Sequence, residues 1–239
     1  LLRPEAARGP LWFQLYWQPS REATLALVRR AEAAGMEALV LTVDAPVQGV
    51  RDAERRHGFA LPPGLRAVHL DALPHPAPAA GGRPIDLLLG QAPDWDDVAW
   101  LIGQTRLPVL LKGVTHPDDA REAVRIGAAG IVLSNHGGRT LDTVPATATL
   151  LPGMAQALQG ALPLIVDGGL RRGTDVLKAM ALGANAVLIG RPVLHGLAHA
   201  GALGVAHVLR LLRDELEAAM ALCGCPALAE AGPHLLTNP

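Results

Sequence analysis

Two short apolar segments end abruptly in residues that can do chemistry. The first runs into Ser134-Asn135-His136-Gly137-Gly138-Arg139, and the second into Asp167-Gly168-Gly169-Leu170-Arg171. Neutral imidazole is the natural general base near neutral pH, which makes His136 the candidate base. Asp167 is the expected partner, a carboxylate able to accept an imidazole N–H, fix the tautomer and stabilise the imidazolium. Arg139 offers a planar guanidinium that matches a carboxylate in bidentate fashion. A base, an orienting carboxylate and an anion clamp therefore arrive together.

Other positions add to this set. Gly168-Gly169-Leu170-Arg171 and Gly190-Arg191-Pro192 read as paired turns able to hold a phosphate through backbone N–H groups and arginine, with Gly173-Thr174 opening a helix nearby. Lys112 ends an apolar segment, where lysine meets an anion or forms a Schiff base. Tyr16 is the one tyrosine of the chain and stands two residues after Gln14. Each has a plainer reading: a turn aspartate, loop arginines, two tight turns, a core aromatic with a satisfied hydroxyl. A hydrolase built from Ser134, His136 and Asp167 lacks the Gly-x-Ser-x-Gly elbow. A Schiff-base enzyme leaves the paired glycine turns and His136 without a role.

The elements that must position these residues alternate. Strands are expected at 11–16, 38–43, 108–112, 130–134, 163–167 and 186–190. Helices are expected from Ser20 to Gly35 and at 94–104, 117–126, 146–158, 174–182 and about 205–222. A Pro/Gly/Ala-rich excursion fills 45–93. The strands are apolar at consecutive positions, as in strands covered on both faces. A helix stop followed at once by a strand recurs at Ala34-Gly35, Ile126-Gly127 and Leu182-Gly183. Repeated β/α units imply a parallel sheet, as a barrel or a doubly wound sheet. Six strand segments are about two short of a closed (β/α)8 TIM barrel. The expectation is one domain over 1–239 forming an incomplete barrel, marginal on its own, whose first and last strands are unpaired edges.

Bulk composition narrows the function classes. The chain has 239 residues, 50% hydrophobic and 18% charged, with a formal net charge of −1. Such a balance supplies no field for nucleic acid or an anionic membrane surface. No uninterrupted apolar run of membrane-spanning length stands out. Cys223 and Cys225 are too close together for a disulfide framework, and no metal site is expected.

The residues resemble the FMN-dependent 2-hydroxy-acid dehydrogenase/oxidase family, which includes glycolate oxidase, lactate oxidase, flavocytochrome b2 and mandelate dehydrogenase. The resemblance covers about 11–228. It rests on Phe13-Gln14-Leu15-Tyr16, Leu41-Thr42-Val43-Asp44-Ala45-Pro46, Leu111-Lys112-Gly113-Val114, Ser134-Asn135-His136-Gly137-Gly138-Arg139, Asp167-Gly168-Gly169-Leu170-Arg171-Arg172-Gly173-Thr174-Asp175 and Ile189-Gly190-Arg191-Pro192.

The resemblance implies an FMN-linked barrel that oxidises an L-2-hydroxy acid of the lactate, glycolate or mandelate type to the 2-oxo acid. It assigns His136 as base with Asp167 as its partner, Arg139 to the substrate carboxylate, Arg51 as a second arginine near the substrate, and Tyr16 to a hydrogen bond with the substrate near its hydroxyl. Gln14, Thr42 and Lys112 would contact the isoalloxazine ring and Ser134 the ribityl chain. Arg171, Gly190 and Arg191 would hold the phosphate, and Asp167, Gly168 and Gly169 complete the cofactor set. It also implies a mobile active-site loop within 45–93. The family's first two barrel strands and a substrate-binding tyrosine would precede Leu1. A cytoplasmic enzyme with no membrane anchor is expected, and a homotetramer is compatible. The electron acceptor, O2 or another, stays open. The competing expectations are a non-catalytic fragment of such an enzyme and another FMN-dependent barrel class.

Overall fold

A computed structural model describes residues 9–237 except 48, 67, 69–88 and 91. Most of the central part of the 45–93 excursion lies outside the described residues. The elements follow the sequence pattern closely: β1 (Trp12–Tyr16), α1 (Arg21–Ala33), β2 (Ala38–Thr42), α2 (Asp52–Arg56), α3 (Trp95–Gln104), β3 (Val109–Lys112), α4 (Pro117–Arg125), β4 (Gly130–Leu133), α5 (Thr147–Leu158), β5 (Leu164–Asp167), α6 (Gly173–Ala181), β6 (Ala186–Leu188) and α7 (Arg191–Leu222).

Local chemistry sets the boundaries. The Ser20 side chain accepts the Ala23 N–H and starts α1, and Asp94 and Asp97 form a capping box on α3. Pro117 occupies the first turn of α4, where its missing N–H costs nothing. The recurring stop glycines Gly35, Gly127 and Gly183 take φ values of 72°, 81° and 104°, which turn each helix end into the next strand.

The six strands form one parallel sheet in the order β1-β2-β3-β4-β5-β6. Trp12 pairs with Ala38, Leu39 with Val109, Leu110 with Gly130, Ile131 with Leu164 and Ile165 with Ala186. Alternation along the strands then sorts the side chains by face. Leu39, Leu41, Leu111, Ile131, Leu133 and Val166 join the large core under the helices. Ala38, Val40, Leu110, Val132 and Ile165 form a separate cluster on the opposite, inner face. Two residues further along each strand, that inner face ends in Thr42, Lys112, Ser134 and Asp167. Gln14 and Tyr16 share it, because Gln14 pairs with Val40 and Tyr16 with Thr42. One periodicity therefore delivers six of the expected site residues to the same face, at the C-terminal end of the sheet.

Burial on both faces holds for the middle of the sheet only. β2 and β4 are buried throughout, whereas Trp12 and Tyr16 of β1 and Ala186 of β6 are exposed. β1 and β6 are the outer strands among the described residues, with no neighbour on one side.

The last helix differs most from expectation. It starts at Arg191, not near 205, and breaks at Ala200 (φ −145°) and Gly201 (φ 56°). The two pieces meet at glycine: a Cβ on Gly204 would lie 1.9 Å from the Gly196 carbonyl oxygen. By length and composition this helix could cross a membrane, with a mean hydropathy of 1.3 over its most apolar 18 residues, 6% of them buried. The expectation of no such run missed it, because glycines and histidines interrupt the stretch. The break divides it, and Arg210, Arg213, Asp214, Glu215 and Glu217 occupy the longer piece.

Candidate active site

His136 takes a left-handed backbone conformation, with φ 55°. For a residue with a Cβ this costs about 1–3 kcal/mol and persists only where surroundings enforce it. Gly137 and Gly138 continue the turn at φ 66° and 72°. The His136 N–H donates to Ser134 Oγ at 3.1 Å, and Asn135 Oδ1 accepts the Gly137 N–H at 3.1 Å. The imidazole is thereby aimed back across the sheet end.

Its partner is not Asp167. His136 Nδ1 lies 2.9 Å from Asp44 Oδ1, and both side chains are largely buried. An ionised Asp44 accepts from Nδ1–H, which leaves Nε2 as the free acceptor. Nε2 faces the Tyr16 hydroxyl at 3.5 Å. Burial raises the Tyr16 phenol above its ordinary pKa, the Asp44 charge adds to this, and Arg51 and Arg139 oppose it. The hydroxyl therefore remains a protonated donor through neutral pH. Asp44 Oδ2 is buried without a hydrogen-bond partner among the described residues.

Asp167 belongs to a different constellation. Its Oδ2 accepts from Ser134 Oγ at 2.8 Å and pairs with Lys112 Nζ at 3.1 Å, while Lys112 also donates to Ser134 Oγ at 3.0 Å. Thr147 Oγ1 fixes the strand end by donating to the Asp167 carbonyl at 2.8 Å. The expected His136–Asp167 pairing fails for a reason of geometry. Asp167 lies on the inner face beside Lys112, whereas Asp44 stands in the loop just beyond β2, where the turned-back imidazole can reach it. On β1 and β2, Gln14 Nε2 donates to Thr42 Oγ1 at 2.9 Å.

The phosphate turns are only partly as expected. Arg171, Gly190 and Arg191 line one cavity of about 460 Å3 together with Lys112, His136 and Gly168. Arg191 donates to the Gly137 carbonyl at 3.1 Å, which links this end to the histidine turn. The amides at the start of α6 are already used, however. Asp175 Oδ2 accepts the Arg171 and Arg172 N–H groups at 2.9 Å each, and Glu215 accepts that of Gly173 at 2.9 Å. The Gly173 amide is thus engaged within the protein, while Arg171, Arg191 and the glycine turns line the cavity.

Arg51 and Arg139 converge as the substrate clamp requires, and they do so on Glu54. Arg139 Nη2 donates to Glu54 Oε1 at 2.8 Å, and Arg51 Nη1 lies 3.3 Å from each Glu54 oxygen. Burial would raise the Glu54 pKa, but the hydrogen bonds from Arg139 and Arg51 outweigh this and hold it below the usual carboxylate value. Arg51 Nε is buried with no hydrogen-bond partner among the described residues. Gly49 makes the approach possible, because a Cβ there would come within 2.3 Å of the Thr140 carbonyl oxygen.

Asp44, Glu54, Gly49 and Gly113 escaped the sequence reading. Asp44 sat inside a quoted motif, as a carboxylate two residues past a strand end, and that was the available signal. Gly113 has φ 104°, and a Cβ on it would lie 2.4 Å from Asp44 Cγ. Gly113→Ala should therefore both strain the backbone and push Asp44 off the imidazole. The expected result is a stability loss of about 1–3 kcal/mol by denaturant unfolding, with weakened protection of the His136 ring proton by NMR. An unchanged ring signal would contradict this.

The cavity fits a flavin mononucleotide by the chemistry of its donors. A volume of about 460 Å3 is in the range of cofactor sites. Lys112 and Asp167 stand at strand ends in its wall, and Arg171 and Arg191 line the same cavity, where a phosphate would lie.

Comparison with known proteins agrees with this reading. Residues 3–238 match the family FMN-dependent dehydrogenase. An L-lactate oxidase of Roseobacter sp. is 53% identical over 96% of this chain and 63% of its own length. Glycolate oxidase 1 of Zea mays is 49% identical over 98% of this chain and 65% of its own length. A crystal structure of mandelate oxidase with (S)-2-phenylpropionate superposes with a TM-score of 0.82 at 46% identity, over 94% of this chain and 62% of that one. The chain thus spans about 63% of the first of these relatives, and its six-stranded sheet is the corresponding part of an FMN-dependent TIM barrel. With the family's model matched over nearly its whole length, the chain belongs to the FMN-dependent dehydrogenase family.

Proposed function

We propose that this chain carries the oxidation site of an L-2-hydroxy-acid oxidase that uses FMN. The observation that carries the reading is the setting of His136, with Asp44 on Nδ1, the Tyr16 hydroxyl facing Nε2 and two arginines alongside. The relatives named for lactate, glycolate and mandelate support small 2-hydroxy acids as substrates. Their designation as oxidases supports dioxygen as the final acceptor.

Oxidising a CH–OH centre to C=O removes two electrons and two protons. FMN, when bound, would accept the two electrons together with one of the protons. Arg139 and Arg51 bind the substrate carboxylate and set the C2 hydroxyl between Tyr16 and His136. His136 Nε2 takes one proton, and the Asp44 carboxylate stabilises the resulting imidazolium. Gln14, Thr42 and Lys112 would hold the ring, with the lysine placing positive charge beside it. Ser134 would reach the ribityl chain, and Arg171, Gly190 and Arg191 would hold the phosphate. Asp167 acts here by fixing Lys112 and Ser134, with Gly168 and Gly169 shaping the turn beside them.

The test is formation of 2-oxo acid from L-lactate, glycolate and L-mandelate by FMN-loaded protein, with Arg139→Met as the variant. Loss of one charge-assisted hydrogen-bonding partner should raise KM about 10- to 100-fold. A KM within twofold of the parent, or no 2-oxo acid from any of the three, would refute the assignment.

A further inference from the structure

Two guanidiniums converge on one internal carboxylate where the substrate carboxylate is expected. Arg139 Nη2 reaches Glu54 Oε1 at 2.8 Å, and Arg51 Nη1 lies 3.3 Å from both Glu54 oxygens. Glu54 lies in the five-residue helix that follows Arg51, whose carbonyl accepts the Arg55 N–H at 3.0 Å and ties it to the helix start. Gly49 lets this segment lie against the Arg139-Thr140 backbone, which no residue with a Cβ would allow. The three side chains remain 30–46% exposed, so an anion can reach them and exchange with Glu54. The Asp44 charge is engaged by His136 and stands outside this trio.

Charge counting gives the consequence. Arg51 and Arg139 contribute two positive charges and Glu54 removes one. The net single charge suits an acid with one carboxylate. A second carboxylate on the substrate would exceed this net charge, and like charges repel more in such a partly desolvated setting than in water.

We infer that Glu54 is a specificity-determining residue, an internal carboxylate that reserves the arginine clamp for 2-hydroxy acids bearing a single carboxylate and disfavours dicarboxylates. The inference rests on the proposed role of Arg139 and Arg51 as the substrate clamp. Glu54 acts through the two arginines, as a positioning residue.

The experiment titrates FMN-loaded protein with two 2-oxo acids of equal chain length, 2-oxopentanoate and 2-oxoglutarate, which differ by one terminal carboxylate. Binding is read from the arginine side-chain 1H–15N signals, which do not depend on turnover. In the parent protein, 2-oxopentanoate should bind about tenfold more tightly than 2-oxoglutarate. Glu54→Gln should tighten 2-oxoglutarate by about tenfold and 2-oxopentanoate by no more than about threefold, as expected for removing one nearby charge. Glu54→Asp, which keeps the charge, should restore the discrimination. Equal tightening of both acids by Glu54→Gln, or no change in either, overturns the inference while leaving the clamp intact. Arg139→Met binding both acids as the parent does would instead overturn the clamp reading itself.

Discussion

His136→Ala should slow substrate-driven flavin reduction by about 100- to 10,000-fold, the usual contribution of a positioned general base, with FMN still bound. The alanine removes the one imidazole whose Nε2 faces the Tyr16 hydroxyl, while the Lys112–Ser134–Asp167 constellation stays in place. Stopped-flow mixing with L-lactate under anaerobic conditions measures the step directly. Retained FMN with lost reduction separates a missing base from a collapsed site. The backbone at position 136 is left-handed, so alanine keeps some strain and Gly at the same position gives a useful second variant. Reduction at an undiminished rate in both would remove His136 from its role.

The second large effect distinguishes two aspartates. Asp44→Asn should cost about 1,000- to 10,000-fold in the reductive step, because an asparagine can present an N–H to Nδ1 and favour the wrong tautomer, and it no longer stabilises the imidazolium. Asp167→Asn should leave the histidine pair intact and act on cofactor retention, because it breaks the ion pair with Lys112 and the bond from Ser134. The two variants thus separate in kind: one holds FMN and reduces it slowly, the other loses FMN. Measuring the FMN dissociation constant beside the rate of reduction makes the comparison. If Asp167→Asn impairs reduction at full FMN occupancy as much as Asp44→Asn does, the assignment of the two carboxylates is wrong.

Much of the site was legible because it depends on strand alternation. Tyr16, Thr42, Lys112, Ser134 and Asp167 each end or follow an apolar strand, Gln14 stands two residues before Tyr16, and period-two geometry puts all six on one face. The histidine turn was legible because Asn-His-Gly-Gly permits a run of left-handed residues that few sequences allow. The residues that escaped notice depend on contacts between distant loops. Asp44 and His136 are 92 positions apart, and their meeting requires Gly113 to leave room for the aspartate. Glu54 and Arg139 are 85 positions apart and meet through Gly49. Spacing within one strand says nothing about such pairs. The α6 N-terminus misled for a related reason. Its amides were read as free for phosphate, whereas Asp175 accepts that of Arg172 and Glu215, 42 positions on, accepts that of Gly173. The early start of the last helix was hidden by Gly196, Gly201 and Gly204. Gly201 breaks the helix, and Gly196 and Gly204 let its two pieces touch.

The central claim is that these residues oxidise a 2-hydroxy acid by handing its electrons to FMN. Its most direct test is an anaerobic titration of FMN-loaded protein with L-lactate, followed by visible absorbance. The account predicts bleaching of the bound flavin in the parent and an unbleached, fully retained flavin in His136→Ala on the same timescale. Flavin that stays oxidised in the parent, or that bleaches equally in both, would contradict it.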